Sequence, residues 1–175
     1  MAGIRSLCWR TRNCCRSQLV RNLFQRPSLE FESFLNAANN VQGIGNVKSD
    51  EVLTLKEPKL VEVERRFVRK LVSTLRDFDN VYYEVCNEPY LHGATEAWQR
   101  RIAQTIKETD GPPPTNHLIS LNIANGASKV EDPDPAVSLF NFHYARPPSA
   151  VAMNYGLNKP IGMRSEEHTS ELQSP

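Results

Sequence analysis

Short apolar runs alternate with amphipathic helical segments through the middle of the chain, and this alternation limits the possible folds more than any other feature. Strands are predicted over residues 81–86, 117–123, 137–144 and 159–163, and helices over 58–78, 94–109 and 149–155. Continuous apolar strands that alternate with helices are typical of a parallel sheet covered on both faces. The sequence therefore predicts an α/β fold.

Two parallel architectures fit this alternation, the doubly wound sheet and the (β/α)8 (TIM) barrel. No glycine-rich turn follows any predicted strand, so the usual signal of a dinucleotide-binding doubly wound sheet is missing and the barrel is favoured. Because a complete barrel needs about 250 residues and this chain has 175, the prediction is an incomplete TIM barrel.

The first two predicted helices each carry an apolar stripe. Pro58 suits the first turn of the earlier helix, whose predicted stripe consists of Leu60, Val63, Phe67, Leu71 and Leu75. In the second helix the stripe is Trp98, Ile102 and Ile106, at steps of four. Since Trp98 lies on this stripe, we expect it to belong to the core.

The two ends of the chain differ in composition from the middle. Residues 1–27 contain six arginines and no acidic residue, which fits either a transit peptide or, as we favour, a misplaced start read in frame; they are predicted to form no domain. Residues 164–175 are polar and resemble the translation of a common sequencing-library adapter, so Glu166, Glu167 and His168 are left out of any site. The folded part is thus predicted to be 28–163.

Charge and cysteine content argue against several classes of protein. Net charge is +1, from 21 basic and 20 acidic side chains, so we expect neither nucleic acid nor an anionic membrane as a partner. No apolar stretch approaches the roughly 20 residues of a membrane-spanning helix, and no secretory signal is visible, which leaves localisation open. No cluster of metal ligands stands out, and neither a metal nor a cofactor is expected.

The strongest candidate for chemistry is the tripeptide Asn87-Glu88-Pro89, which follows the strand predicted over 81–86. In barrels, working residues lie at the carboxyl ends of strands, where the loops converge on one face. A carboxyl group held there beside an amide donor suits proton transfer to and from a bound molecule. The alternative is that Glu88 simply caps a helix.

The segment 78–90, with the helix before it, resembles the fourth strand of retaining (β/α)8-barrel glycoside hydrolases of the cellulase-like family 5 type. The resemblance implies cleavage of a β-linked oligosaccharide or polysaccharide, with Glu88 as general acid/base and Asn87 bonded to the sugar's 2-hydroxyl. His143 and Tyr144 resemble the sugar-lining pair of the sixth strand, although that pair is usually separated by one residue. An imidazole satisfied within the core is the alternative for His143. The chain would then span roughly strands three or four to seven.

A retaining hydrolase also needs a second carboxylate, about 5 to 5.5 Å from the first, as its nucleophile. The run 159–163 resembles the seventh strand, after which this residue is expected, but Arg164 and Ser165 stand there. The nucleophile is therefore expected to be absent, so that the parent protein is an enzyme and the chain as given is inactive. A non-catalytic carbohydrate-binding or scaffold barrel is the alternative. Oligomeric state and the particular glycan stay open.

Overall fold

The computed structural model describes residues 35–91, 93–112, 116–145 and 149–164. Within these ranges the chain forms three α-helices, α1 (Pro58–Leu75), α2 (Glu96–Asp110) and α3 (Ser149–Asn154). It also forms four β-strands, β1 (Tyr83–Glu84), β2 (Ile119–Asn125), β3 (Leu139–His143) and β4 (Ile161–Arg164). Every predicted helix and strand is therefore present, with ends that differ by a few residues.

The four strands form one parallel sheet in the order β1-β2-β3-β4. The predicted α/β class is thus confirmed. Each strand pairs with the next along the chain, and the order of the described strands never reverses, as it would at the switch point of a doubly wound sheet. The arrangement is compatible with part of an α/β barrel.

The faces of this sheet differ in polarity, which corrects the prediction of continuously apolar strands. Successive residues of a strand point to opposite faces. Apolar side chains on one face join a single core with the helices: Tyr83, Val85, Ile119, Leu121, Phe140 and Phe142. Polar side chains alternate with them and are also buried: Glu84, Ser120, Asn122, Asn141 and His143. β1, the first four residues of β2 and the last four residues of β3 are buried, and one of the two faces that they form is polar.

Helix α1 packs through a stripe that differs from the predicted one. Phe67, expected in the core, is 47% exposed. The apolar residues of α1 in or against the core are Leu60, Val61, Val68, Leu71, Val72 and Leu75. Glu64 lies among them because its carboxylate accepts a hydrogen bond from the indole of buried Trp98, at 2.8 Å. Because Glu64 is an ionisable residue within the buried stripe, a prediction based on hydrophobicity assigned the buried face of α1 incorrectly at Phe67.

Helix α2 begins and ends at identifiable residues. Thr95 is its N-cap, with a side-chain oxygen that accepts from the backbone N–H of Trp98 at 3.3 Å. Gly111 follows the last turn with φ of 95°, a conformation that favours glycine. Trp98 is buried in the core, as predicted.

His117 connects three parts of the fold just before β2. Its Nδ1 lies 2.9 Å from a carboxylate oxygen of buried Asp110 at the end of α2. Its Nε2 lies 2.7 Å from the carbonyl oxygen of Phe78, in the turn after α1. Burial lowers the pKa of His117, but the bonds to Phe78 and Asp110 outweigh it and raise the pKa overall. The imidazole thus fixes both helices to the start of β2.

The connection from β2 to β3 contains no helix among its residues 126–138, as the sequence suggested. Asn154, the last residue of α3, supports this loop: its amide accepts from the N–H of Val130 and donates to the carbonyl of Ser128, each at 2.8 Å. Residues 1–27 and 165–175, on which the predictions about the two ends depend, lie outside the described part of the chain. Arg164 is the last residue of β4.

Candidate active site

Glu88 and His143 meet at the edge of the sheet where the strands end. Glu88 follows β1 by four residues, and His143 is the last residue of β3, two strands away. Oε1 of Glu88 lies 3.1 Å from Nδ1 of His143, and the two residues are 3% and 1% exposed. The structure therefore brings together the two residues that the sequence placed at the ends of separate strands.

The backbone of Glu88 adopts a left-handed conformation, with φ of 47°. This region costs a residue other than glycine about 1–2 kcal/mol, and such strain often accompanies functional sites. Two hydrogen bonds hold the backbone here. The N–H of Glu88 donates to Oδ1 of Asn122 at 2.9 Å, and its carbonyl accepts from the N–H of Leu91 at 3.0 Å.

Two buried polar atoms beside this pair have no hydrogen-bond partner among the described residues, namely Nδ2 of Asn87 and Nε2 of His143. A buried polar atom of this kind is costly unless a ligand or water satisfies it. The imidazole is thus bonded on one side only, unlike a histidine satisfied within the core. If Nδ1–H donates to the Glu88 carboxylate, Nε2 is left to accept a hydrogen bond.

Tyr144 lies at the rim of the site. It is 44% exposed, and its ring meets the His143 imidazole edge to face, with centroids 6.2 Å apart and planes at 78°. The hydroxyl of Tyr90, two residues after Glu88, donates to Oδ1 of Asn125 at 2.5 Å.

Below this rim lies a layer of polar side chains that the sequence reading left out of the site. The amide of Asn141 donates to Oε2 of Glu84 at 3.2 Å, and the amide of Asn122 donates to the carbonyl of Asn141 at 3.3 Å. The signal that could have revealed these residues is their period of two along the strands, in phase with His143.

Cys86, two residues before Glu88, has no place in nucleophilic chemistry. It is buried, and burial together with the charge of Glu84 raises the pKa of its thiol to about 12. Because the thiolate is the reactive form, this thiol stays protonated and inert at neutral pH.

The second carboxylate expected of a retaining hydrolase would enter from β4. His143 and Arg164 are register partners on adjacent strands, so the chain leaves β4 at the same edge as the Glu88–His143 pair. Of the positions expected for the nucleophile, within two or three residues of Met163, Arg164 ends β4 and those from Ser165 onward lie outside the described residues. Among the described residues there is no group of three or more His, Cys, Asp or Glu side chains suited to a metal ion. No described helix is long and apolar enough to cross a membrane.

Comparison of the chain with protein-family models, with curated proteins and with solved structures gives no match. The functional assignment therefore depends on the geometry of the site and on the residues that carry it.

Proposed function

We propose that this chain is part of a retaining glycoside hydrolase, with Glu88 as the general acid/base. The observation that carries the proposal is the buried Glu88–His143 pair at the carboxyl edge of a parallel sheet. Nδ2 of Asn87 and Nε2 of His143 have no hydrogen-bond partner within the described ranges. A buried carboxyl group with open hydrogen-bonding positions around it is suited to a polar, neutral ligand such as a sugar.

We also propose that the sheet is an arc of a (β/α)8 barrel, covering roughly strands four to seven. Sequential parallel strands support this interpretation. The buried polar face supports it too, because helices would cover both faces of an open parallel sheet and favour apolar side chains on each. In barrels the active-site residues also come from the carboxyl ends of several strands, which is the end of the sheet where Glu88 and His143 meet.

In the proposed mechanism Glu88 first donates its proton to the glycosidic oxygen as the bond to the leaving group breaks. A second carboxylate forms the covalent glycosyl-enzyme intermediate. The Glu88 carboxylate then accepts a proton from the water that releases the sugar. Asn87 donates to the sugar's 2-hydroxyl, while His143 holds Glu88 by one nitrogen and faces the ligand with the other. Tyr144 contributes its exposed ring to the sugar site.

The test uses the protein continued beyond Met163 by the natural reading frame of its source DNA. We predict that Glu88→Gln lowers kcat on a β-aryl glycoside with a poor leaving group by roughly 10²- to 10⁴-fold, because no proton can be donated to the departing oxygen. An activated aryl glycoside, which leaves without protonation, should be much less affected at the first step. Glu108→Gln, which removes an exposed carboxylate on α2, is the matched control. Undiminished turnover in Glu88→Gln would rule out the assignment.

A non-catalytic carbohydrate-binding barrel is the second candidate, favoured by the Arg164-Ser165 pair where the nucleophile is expected. Sequencing the source DNA across Met163 separates the two. Genomic sequence that encodes these residues supports the binding protein, whereas a different continuation containing a glutamate supports the enzyme. Binding to the chain itself is measured with cellotetraose, through the imidazole 15N signals of His143.

A further inference from the structure

We infer that Asn122 is a positioning residue, which holds the main chain of Glu88 so that the Glu88 carboxylate meets His143. The inference rests on the proposed function, in which Glu88 transfers the proton. It assigns a role to a side chain that lies below the rim, on the strand between the two that carry Glu88 and His143.

Asn122 is bonded on both sides of its amide. Its Oδ1 accepts from the N–H of Glu88 at 2.9 Å, and its Nδ2 donates to the carbonyl of Asn141 at 3.3 Å. The residue is 1% exposed, so water cannot readily replace either bond. A buried amide with both ends occupied has one orientation, and this orientation presents an acceptor to the Glu88 backbone.

The position of Glu88 needs such support. With φ of 47°, its backbone lies in a region that side-chain-bearing residues rarely adopt. The main chain would otherwise relax and carry the carboxylate away from the β3 end of the sheet. Asn122 holds the backbone N–H of Glu88, and the side chain of Glu88 reaches His143. Loss of the Asn122 hydrogen bond should therefore affect both the Glu88 backbone and the contact between Glu88 and His143.

The network below Asn122 returns to the strand that bears Glu88. Asn141, the register partner of Asn122, donates through its own side chain to Glu84 of β1. The hydrogen bonds thus link β1, β3 and β2 and end at the Glu88 backbone. Asn122 is the member that touches Glu88 itself, which makes it the place to test the arrangement.

The test needs no glycan and uses the chain as it is. The imidazole 15N signals of His143, assigned with His143→Gln, report the ring tautomer, and amide exchange reports the N–H of Glu88. We expect Asn122→Leu to move the His143 signals to the values seen in Glu88→Gln. Exchange of the Glu88 amide should accelerate roughly five- to tenfold, as for one lost hydrogen bond. The Val85 amide, which is bonded to the carbonyl of Ser120, should keep its exchange rate. An unchanged rate there would exclude a general destabilisation of the sheet as the cause.

Asn122→Ser is measured in parallel, since a short polar side chain avoids placing an apolar group against the Asn141 carbonyl and still cannot reach Glu88. The matched control is Asn154→Ser, the same change at another buried asparagine with both sides of its amide bonded, which supports the loop from β2 to β3. It should leave the His143 signals in place. Unchanged His143 signals in either folded Asn122 variant, while Glu88→Gln shifts them, would overturn the inference. That result would leave the proposed function standing, because turnover and glycan binding are measured separately.

Discussion

Glu64 is a carboxyl group enclosed between the two helices that cover the sheet. Its Oε2 accepts from the indole of Trp98, while Oε1 is buried without a partner among the described residues. Burial raises the pKa of Glu64 from 4.5 to about 7, and the Trp98 bond opposes this only in part. The folded protein therefore holds the Glu64 proton more tightly than the unfolded chain does.

This pKa sets the direction of a pH effect on stability. The contribution of Glu64 is fully present below about pH 4.5 and is lost as the pH rises toward 7, since the carboxylate must then be buried charged. We predict that Glu64→Gln raises the free energy of unfolding at pH 8 by about 1–3 kcal/mol and changes it little at pH 4. Urea titrations over this range measure the effect. Glu108→Gln is the control, and a pH dependence that persists in Glu64→Gln would contradict the prediction.

At the scale of the elements, α1 shows how one residue can conceal the buried face of a helix. A prediction from apolar side chains alone placed Phe67 in the stripe, whereas Val68 and the carboxylate of Glu64 lie on the buried side. The hydrogen bond from Trp98 makes the position of Glu64 tolerable, because a buried polar group needs a partner. That partner lies on α2, 34 residues away, and so is invisible to a local pattern.

A pair of truncations in α1 tests whether Phe67 lies on the same buried face as Leu60. We predict that Leu60→Ala lowers the free energy of unfolding by about 2–5 kcal/mol, because Leu60 is buried in the core. Phe67→Ala should cost roughly 1 kcal/mol or less, since nearly half of that side chain is already exposed. Denaturant unfolding followed by far-UV circular dichroism compares the two. A larger loss for Phe67→Ala would restore the stripe expected from the sequence.

On the scale of the whole molecule, one apolar core joins the described helices and strands. Phe140 and Phe142 of β3 belong to the same cluster as Leu60 of α1 and Trp98 of α2. The polar face holds the candidate site on the opposite side of the sheet. The alternation of side chains along each strand thus separates the apolar core from the candidate site.

A shared core implies that sheet and helices unfold together. We predict that Phe142→Ala destabilises the protein by about 3–5 kcal/mol, and that tryptophan fluorescence and circular dichroism shift together. The experiment uses a Trp9→Phe background, so that Trp98 of α2 is the remaining tryptophan. Separate transitions for the two signals would show that α2 unfolds independently of β3.

The sequence by itself determined the class of fold and the end of the sheet at which the candidate site lies. Local patterns were enough to predict the helices and strands, because the period of each depends only on neighbouring residues. The carboxyl ends of parallel strands lie at one edge of the sheet, so the position of the candidate site followed from the direction of the strands. Thr95 and Gly111 mark the ends of α2 by the same short-range rules. Glu88 and His143 could therefore each be predicted as candidate site residues from the sequence.

Only the tertiary structure decided which of those residues meet. The bond between Glu88 and His143 spans 55 positions, and that between Glu88 and Asn122 spans 34. The order and register of the strands set both distances. The polar face of the sheet and the buried position of Glu64 were likewise hidden, because a polar side chain is stable in the interior only when distant residues supply its partners.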